Sequence, residues 1–478
     1  MITSDEMAVV DANAEALGVP RKQLMESSGS AVADAVREVV DPGAEVSLVC
    51  GRGNNGGDAF VTARFLSEYE VAVHLLGREE TITTDIASEN WEALQSAEID
   101  AEEVRDSADL DLGDPDVVVD AMLGTGVAGA LREPAASAAE AINDSGATVV
   151  AVDVPSGVDA DTGEAEGVAV DADRVVTFHD AKPGLASLDA EVTVADIGIP
   201  EAAERFVERG DLLRLSRDPH SHKGDFGRVL VVGGGPYTGA PALSAQAALR
   251  AGADLAFVAA PENVTREIQG YSENLITRSL SGDHLAPEHV DDLLEQAAEM
   301  DCVVLGPGLG GREGSLEAVR EFLGSFDGLA VVDADALQVV PEVDTDATLL
   351  CTPHQGELVG MGGETADDWA ERADLVESFA ADLGQTVLVK GAYDVISDGE
   401  TTRANRTGNP GMTVGGTGDV LAGVTAALAC ALDPTEAAAL GAYVNGRSGD
   451  IVVDDHGYGL VATDLLEAVP DALWPDDD

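Results

Sequence analysis

The chain has 478 residues, 45% of them apolar, and 90 acidic against 26 basic residues give it a formal charge of −64. That length predicts two domains rather than one core. The acidity speaks against nucleic acid or anionic membrane as a partner, and no apolar run reaches the ~18 residues of a membrane span.

Only four lysines occur, Lys22, Lys182, Lys223 and Lys390, and the acids are dispersed over amphipathic segments rather than gathered in a tail. Such a composition resembles a halophile's protein, because molar salt shortens the Debye length to about 3 Å and screens the self-repulsion. Cys50, Cys302, Cys351 and Cys430 are widely spaced and form no CxxC pair, and the N-terminus lacks a secretion signal. Both point to reduced thiols in a cytoplasmic protein.

In chain order, apolar β-branched runs predict strands at 46–50, 71–76, 116–123, 148–153 and 174–178, with Ala/Glu-rich helical stretches between most of them. A polar linker containing Pro219 follows. A second series then predicts strands at 228–232, 255–259, 302–305, 329–333, 348–351 and 386–389. Alternation of this kind predicts α/β architecture, a parallel sheet covered by helices on both faces in each domain. The domains are expected at 1–213 and 217–475.

Within the first domain, Gly51-Arg-Gly-Asn-Asn-Gly-Gly-Asp58 joins a strand to a helix. Its glycines permit close backbone approach and the helix N-terminus offers free N–H groups to phosphate. A tight packing turn would use the same glycines, but not Asn54, Asn55 and Asp58. Asp120 closes the next strand and leads into Gly124-Thr-Gly-Val-Ala-Gly-Ala130; Asp153 closes another and leads into Val-Pro-Ser156. Ligands of open α/β sheets bind at the carboxyl ends of strands. Asn55, Asp120 and Ser156 could there converge on one hard cation; a single such residue would more often cap a helix. Lys182 follows the 174–178 strand, in a chain that has nearly dispensed with lysine, and is a candidate for function rather than a solvated surface group.

These motifs together resemble the YjeF N-terminal family, the NAD(P)H-hydrate epimerases, over roughly residues 3–212. The resemblance implies a Rossmann-like domain. Substrate contacts would come from Asn54, Asn55, Gly56, Gly57 and Asp58, from Gly124, Thr125, Gly126, Val127, Ala128, Gly129 and Ala130, and from Asp153. It also implies potassium at Asn55, Asp120 and Ser156. Inverting a hemiaminal carbon needs acid–base help, for which Asp153 is the first candidate and Lys182 the second.

In the second domain glycine-rich turns follow two strands, at Gly233–Gly235 and Gly306–Gly310, and neither is a P-loop or a dinucleotide fingerprint. The sharper signal is Val-Gly-Gly-Thr-Gly-Asp419 ahead of an apolar helix. The N–H groups of Gly415, Gly416, Thr417 and Gly418 can form an anion hole, and Asp419 in the first turn can take a proton from an attacking hydroxyl. The alternative is a plain helix cap.

GGTGD resembles the anion hole of the ribokinase-like superfamily. With HKGDFG, YTGAP, GPGLG, TPHQGE and VKGAYDV it is similar to the ADP/ATP-dependent NAD(P)H-hydrate dehydratases, over roughly residues 217–473. That resemblance implies a ribokinase-like fold, a hydrate site lined by Ala240, Gly308, His354 and Asp419, and an adenine nucleotide at Lys390, Gly391, Ala392, Tyr393, Asp394 and Gly418. Magnesium is expected to bridge the phosphates, with no ligands assigned. The two resemblances together describe a bifunctional repair enzyme for hydrated NADH and NADPH, with ADP as the expected co-substrate and a homo-oligomer as the expected state. Two alternatives stay open: a small-molecule kinase in the second domain, and a first domain that binds nucleotide without catalysis.

Overall fold

A computed structural model of the chain describes residues 1–126 and 129–475. The expected substrate contacts Val127 and Ala128 lie outside the described residues. The chain divides into two compact units, Met1–Ala203 and Glu204–Asp478.

The first unit carries strands β1 (Glu45–Cys50), β2 (Glu70–Leu76), β3 (Asp100–Val104), β4 (Val117–Ala121), β5 (Thr148–Val152), β6 (Arg174–Phe178) and β7 (Glu191–Ala195). They form one sheet in the order β3-β2-β1-β4-β5-β6-β7, every pairing parallel. Alternation along β4 makes the three layers: Val117, Val119 and Ala121 enter one apolar core and Val118 the other. Helices Arg21–Val39, Asn54–Phe65 and Asp85–Ser96 cover the first face, and Ala135–Asp144 covers the second. Strands buried on both faces read as continuous apolar runs, which is why β1, β4 and β5 were predictable. The edge strands β3 (DAEEV) and β7 (EVTVA) are half exposed and polar, and were not.

The second unit carries β8 (Arg228–Val232), β9 (Leu255–Pro261), β10 (Ile276–Leu280), β11 (Cys302–Leu305), β12 (Leu329–Val332), β13 (Thr348–Cys351), β14 (Thr386–Val389), β15 (Asp394–Ser397) and β16 (Thr402–Asn405). Their order is β10-β9-β8-β11-β12-β13-β14-β15-β16, parallel up to β14 and antiparallel beyond it. Val229 and Val231 enter one core and Leu230 and Val232 the other, so this unit too has three layers.

The division falls ten residues before the end expected for the first domain. Residues 204–213 belong to the second unit because Val207 donates its N–H to the Ala404 carbonyl at 3.0 Å. Arg403 also grips the Asp211 carboxylate with both terminal nitrogens, at 2.5 and 3.0 Å. No helix among the described residues is long and apolar enough to cross a membrane. All four cysteines are free thiols.

A formal charge of −64 implies self-repulsion that salt would screen. Raising KCl from about 0.1 M to about 2 M, which cuts the Debye length several-fold, is expected to raise the melting temperature by about 5 °C or more. A scan of unfolding by circular dichroism against KCl checks this; a flat or falling trend would reject screening as the adaptation.

Candidate active sites

In the first sheet the strand order reverses between β1 and β4, and a crevice opens there at the carboxyl ends. The turn after β1 passes so close to the turn after β4 that a Cβ at Gly51 would stand 1.8 Å from the Met122 carbonyl oxygen. Only glycine fits. A cleft of 1150 Å³ occupies this place, lined among others by Asn54, Asn55, Asp58, Gly124, Thr125 and Gly126. Gly129, Ala130, Asp153 and Lys182 line it as well. Gly56 and Gly57 do not: both are buried in the first turn of helix Asn54–Phe65, where a Cβ on Gly57 would meet Met25 at 2.7 Å. Their place in the motif is explained by packing.

Behind the cleft floor, Asp120 and Ser156 meet directly. The Ser156 hydroxyl donates to Asp120 Oδ1 and its backbone N–H to Oδ2, both at 2.7 Å, and Met122 N–H donates to Oδ1 at 3.2 Å. Asp120 is fully buried. Burial pushes its carboxyl up to about 6, against the pull of those hydrogen bonds. Asn55 stands next to Gly124, whose Cβ would lie 3.2 Å from Asn55 Oδ1. Asn55 Nδ2 is a buried amide without a hydrogen-bond partner among the described residues.

Asp153 has a left-handed backbone, φ 65°, which sets its carboxylate against Lys182 Nζ at 2.9 Å. Thr177 donates its hydroxyl to the same oxygen at 3.0 Å. The lysine side chain is wholly buried and also donates to the carbonyls of Phe178 at 2.9 Å and Asp180 at 3.4 Å. With its three hydrogens so engaged, Lys182 is a fixed counter-charge. Lys182→Met would leave the half-buried Asp153 without its partner, a loss bounded by the about 3–5 kcal/mol of fully buried pairs. The variant's first unit is expected to unfold at lower denaturant concentration, and an unchanged midpoint would reject the pairing as structural.

In the second unit, residues distant in sequence also gather at strand ends. Gly308, after β11, is so close to helix Gly239–Arg250 that its Cβ would lie 3.4 Å from that of Ala240. The Ser244 hydroxyl bridges the carbonyls of Ala240 (3.3 Å) and Asp419 (2.9 Å). Helix Thr417–Ala429 begins at Gly416, whose φ of 103° turns the chain into it. The first N–H groups of such a helix have no intrahelical acceptor. Gly416 holds the cap position and makes no side-chain cap, and Asp419 is the acidic residue of the first turn. Burial pushes its carboxyl up to about 7, reinforced by the Asp333 charge and opposed by Lys390.

Lys390 Nζ would lie 3.4 Å from a Cβ at Gly418. It pairs with Asp333 Oδ1 at 2.8 Å and stands 3.8 Å from Glu357 Oε2. Burial opposes its charge, but Asp333, Glu357 and Asp419 outweigh that and hold its pKa above the ordinary value. His354 caps helix Gln355–Gly360, its Nδ1 accepting the Glu357 N–H at 3.1 Å. It bridges to Lys390 through the backbone, so it sits at the rim of the same site. Gly391 and Ala392 are exposed. Asp394 turns back to accept from Gly391 N–H and Asn405 Nδ2, each at 2.9 Å. It holds the loop's shape, while Tyr393 stacks on Trp369 with centroids 5.3 Å apart.

Two site residues were missed in sequence. Asp333 closes β12 as Asp120 and Asp153 close their strands, so its signal was present. Asp11, on helix Ser4–Ala16, lines the first cleft, and its helix carries no motif that singles it out. No group of three or more His, Cys, Asp or Glu side chains able to hold a metal occurs among the described residues.

Two units, one with a parallel sheet and a polar cleft at its switch point and one with a mainly parallel sheet and a glycine-rich helix N-terminus beside an Asp–Lys–Asp array, define a two-domain nucleotide-handling enzyme. A family model described as NAD(P)H-hydrate dehydratase matches residues 229–471, and one described as YjeF-related protein N-terminus matches residues 21–184. The bifunctional NAD(P)H-hydrate repair enzyme of Methanothermobacter thermautotrophicus is 45% identical over 98% of this chain and 95% of its own length. That of Pyrobaculum aerophilum is likewise 45% identical, over 98% and 97%. The chain belongs to the family of bifunctional NAD(P)H-hydrate repair enzymes. A hypothetical protein from Streptococcus mutans is similar in structure, with a TM-score of 0.50 and 23% identity over 56% of this chain and 98% of its own; that likeness concerns the fold alone.

Proposed function

We propose that the chain repairs hydrated NADH and NADPH in two steps, epimerising the R and S forms in the first unit and dehydrating the S form with ADP in the second. The observation that carries this reading is the pairing, on one chain, of the Asp153–Lys182 cleft with the Asp419–Lys390 array at a helix N-terminus.

In dehydration, Asp419 takes the proton of the C6 hydroxyl as its oxygen attacks the terminal phosphoryl group of ADP. The new O–P bond forms, and the bond to the AMP oxygen breaks with its electron pair. The N–H groups at Gly415–Gly418 and the Lys390 ammonium oppose the charge gathering on the phosphoryl oxygens. Phosphate then leaves C6 with the electron pair of the C–O bond, and loss of the C5 proton restores the ring double bond. AMP and phosphate are the by-products. A magnesium ion would enter with the nucleotide, supplying charge neutralisation to its phosphates, with Glu357 and Asp333 the carboxylates nearest Lys390. Ala240, Gly308 and His354 line the hydrate side, and Gly391, Ala392 and Tyr393 the nucleotide side.

In the first unit Asp153, ion-paired with Lys182, accepts the proton of the water that re-adds to C6. Asn55, Asp120 and Ser156 fit a potassium ion in donor type: an amide oxygen beside Gly124, a fully buried carboxylate and a hydroxyl. The ion would supply fixed positive charge beside the cleft. Replacing potassium by tetramethylammonium at equal ionic strength is expected to lower the first unit's melting temperature. No change would reject the site.

The resemblance to the family carries the further expectation of a homo-oligomer in the cytoplasm, and the four free thiols fit a reducing compartment. The test of the whole reading is recovery of absorbance at 340 nm from separated R and S hydrates, with ADP or ATP and magnesium in molar KCl. No recovery from the S form would overturn the dehydratase, and recovery from S alone the epimerase.

A further inference from the structure

Inversion at C6 needs two proton-transferring groups, one to protonate the departing hydroxyl and one to deprotonate the water that returns on the other face. Asp153 serves as one. The cleft offers a second carboxyl in Asp58, in helix Asn54–Phe65. Asp58 is 8% exposed and lines the cleft, and its carboxyl has no hydrogen bond or ion pair among the described residues. Such a group is satisfied by carrying its own proton and donating it to a ligand.

We propose that Asp58 is the catalytic acid of the epimerase cleft and that Asp11, which lines the same cleft, is its positioning residue. This rests on the epimerase reading of the first unit. The Asp58 O–H gives its proton to the C6 hydroxyl, and the C6–O bond breaks with its electron pair, releasing water. The lone pair of the ring nitrogen forms the C=N bond of an iminium. Water adds to the other face, its proton passes to Asp153, and the cycle closes when Asp153 releases that proton to solvent and Asp58 takes one up. No oxidant or reductant is needed.

The two carboxyls have different surroundings. Burial first, then the charges of Asp153 and Asp11, push Asp58 well above the usual carboxylate range. Asp153 instead has Lys182 against it. Around Asp58, helix Ser4–Ala16 contributes Asp11, and the loops after β5 and β6 contribute Asp153 and Lys182. Helix Arg21–Val39 contributes Arg21 to the cleft, while its Glu26 pairs with Arg64.

The experiment measures R-to-S conversion by the full chain as a function of pH, with S-hydrate dehydration by the same preparation as the folding control. For Asp58→Asn, kcat for epimerisation is expected to fall about 100-fold or more, with KM little changed and dehydration intact. For Asp11→Asn, the alkaline limb of the epimerisation profile is expected to move to lower pH, because removing a like charge lets Asp58 ionise sooner; Asp11→Glu should restore it. Full epimerisation by Asp58→Asn, or an unmoved limb in Asp11→Asn, would overturn the proposal. A wild-type chain that dehydrates S but cannot convert R would overturn the epimerase reading itself.

Discussion

Asp419→Asn is expected to slow dehydration of the S hydrate by about 10²–10⁴-fold, the range for loss of a positioned general base. The amide keeps the side chain's shape but cannot accept the hydroxyl proton. Nucleotide binding should persist, since the helix N–H groups and Lys390 are untouched. The pH dependence gives an independent check. Burial and the Asp333 charge push Asp419 up to about 7, and a base works only when ionised. Activity of the natural chain should therefore rise with pH through about 7 and be lost below it, and the variant's residual rate should lack that limb. Stopped-assay rates on purified S hydrate, with ADP affinity measured by calorimetry, decide it. Retained turnover would reject Asp419 as the base, and lost ADP binding would point to a damaged helix start.

Asp153→Asn is expected to abolish conversion of the R hydrate to a similar extent while S-hydrate dehydration continues. The two activities lie in separate compact units, so a cleft change in the first should leave the second unaffected. The carboxylate accepts from Thr177 and pairs with Lys182, and an asparagine oxygen can keep the Thr177 bond. The lysine, however, loses its counter-charge in a buried place. Activity and stability are thus to be read together: the R-specific loss should appear at temperatures where the variant is still folded. Equal loss of both reactions would mean unfolding, and undiminished R conversion would reject Asp153.

How much of this was legible beforehand varied with burial. Central strands such as β4 and β11 are apolar on both faces and stood out as runs. The edge strands β3, β7 and β10 have exposed polar positions, so their composition matches a loop. The β15–β16 hairpin is built of two four-residue strands, DVIS and TRAN, too short for an alternating pattern. Asp394 shows a similar limit within a motif. It lies in the expected nucleotide segment, yet its carboxylate holds the loop together from within.

From the sequence alone followed the two α/β domains, the strand-end motifs and most of the residues now seen at the two sites. Local patterning suffices there, because glycine-rich turns after buried strands leave few other arrangements. Tertiary structure decided which carboxyls face each other. Asp11 and Asp58 lie 47 residues apart, with Asp153 and Lys182 far beyond them. Asp333, after β12, reaches Lys390, after β14, across one intervening strand of the second sheet, β13. Whether an acid keeps its proton depends on its burial and its neighbours' charges, and those are set only when distant segments pack. The same applies to the domain boundary, which moved from the polar linker to Ala203–Glu204 because Arg403 and Ala404 hold residues 204–213.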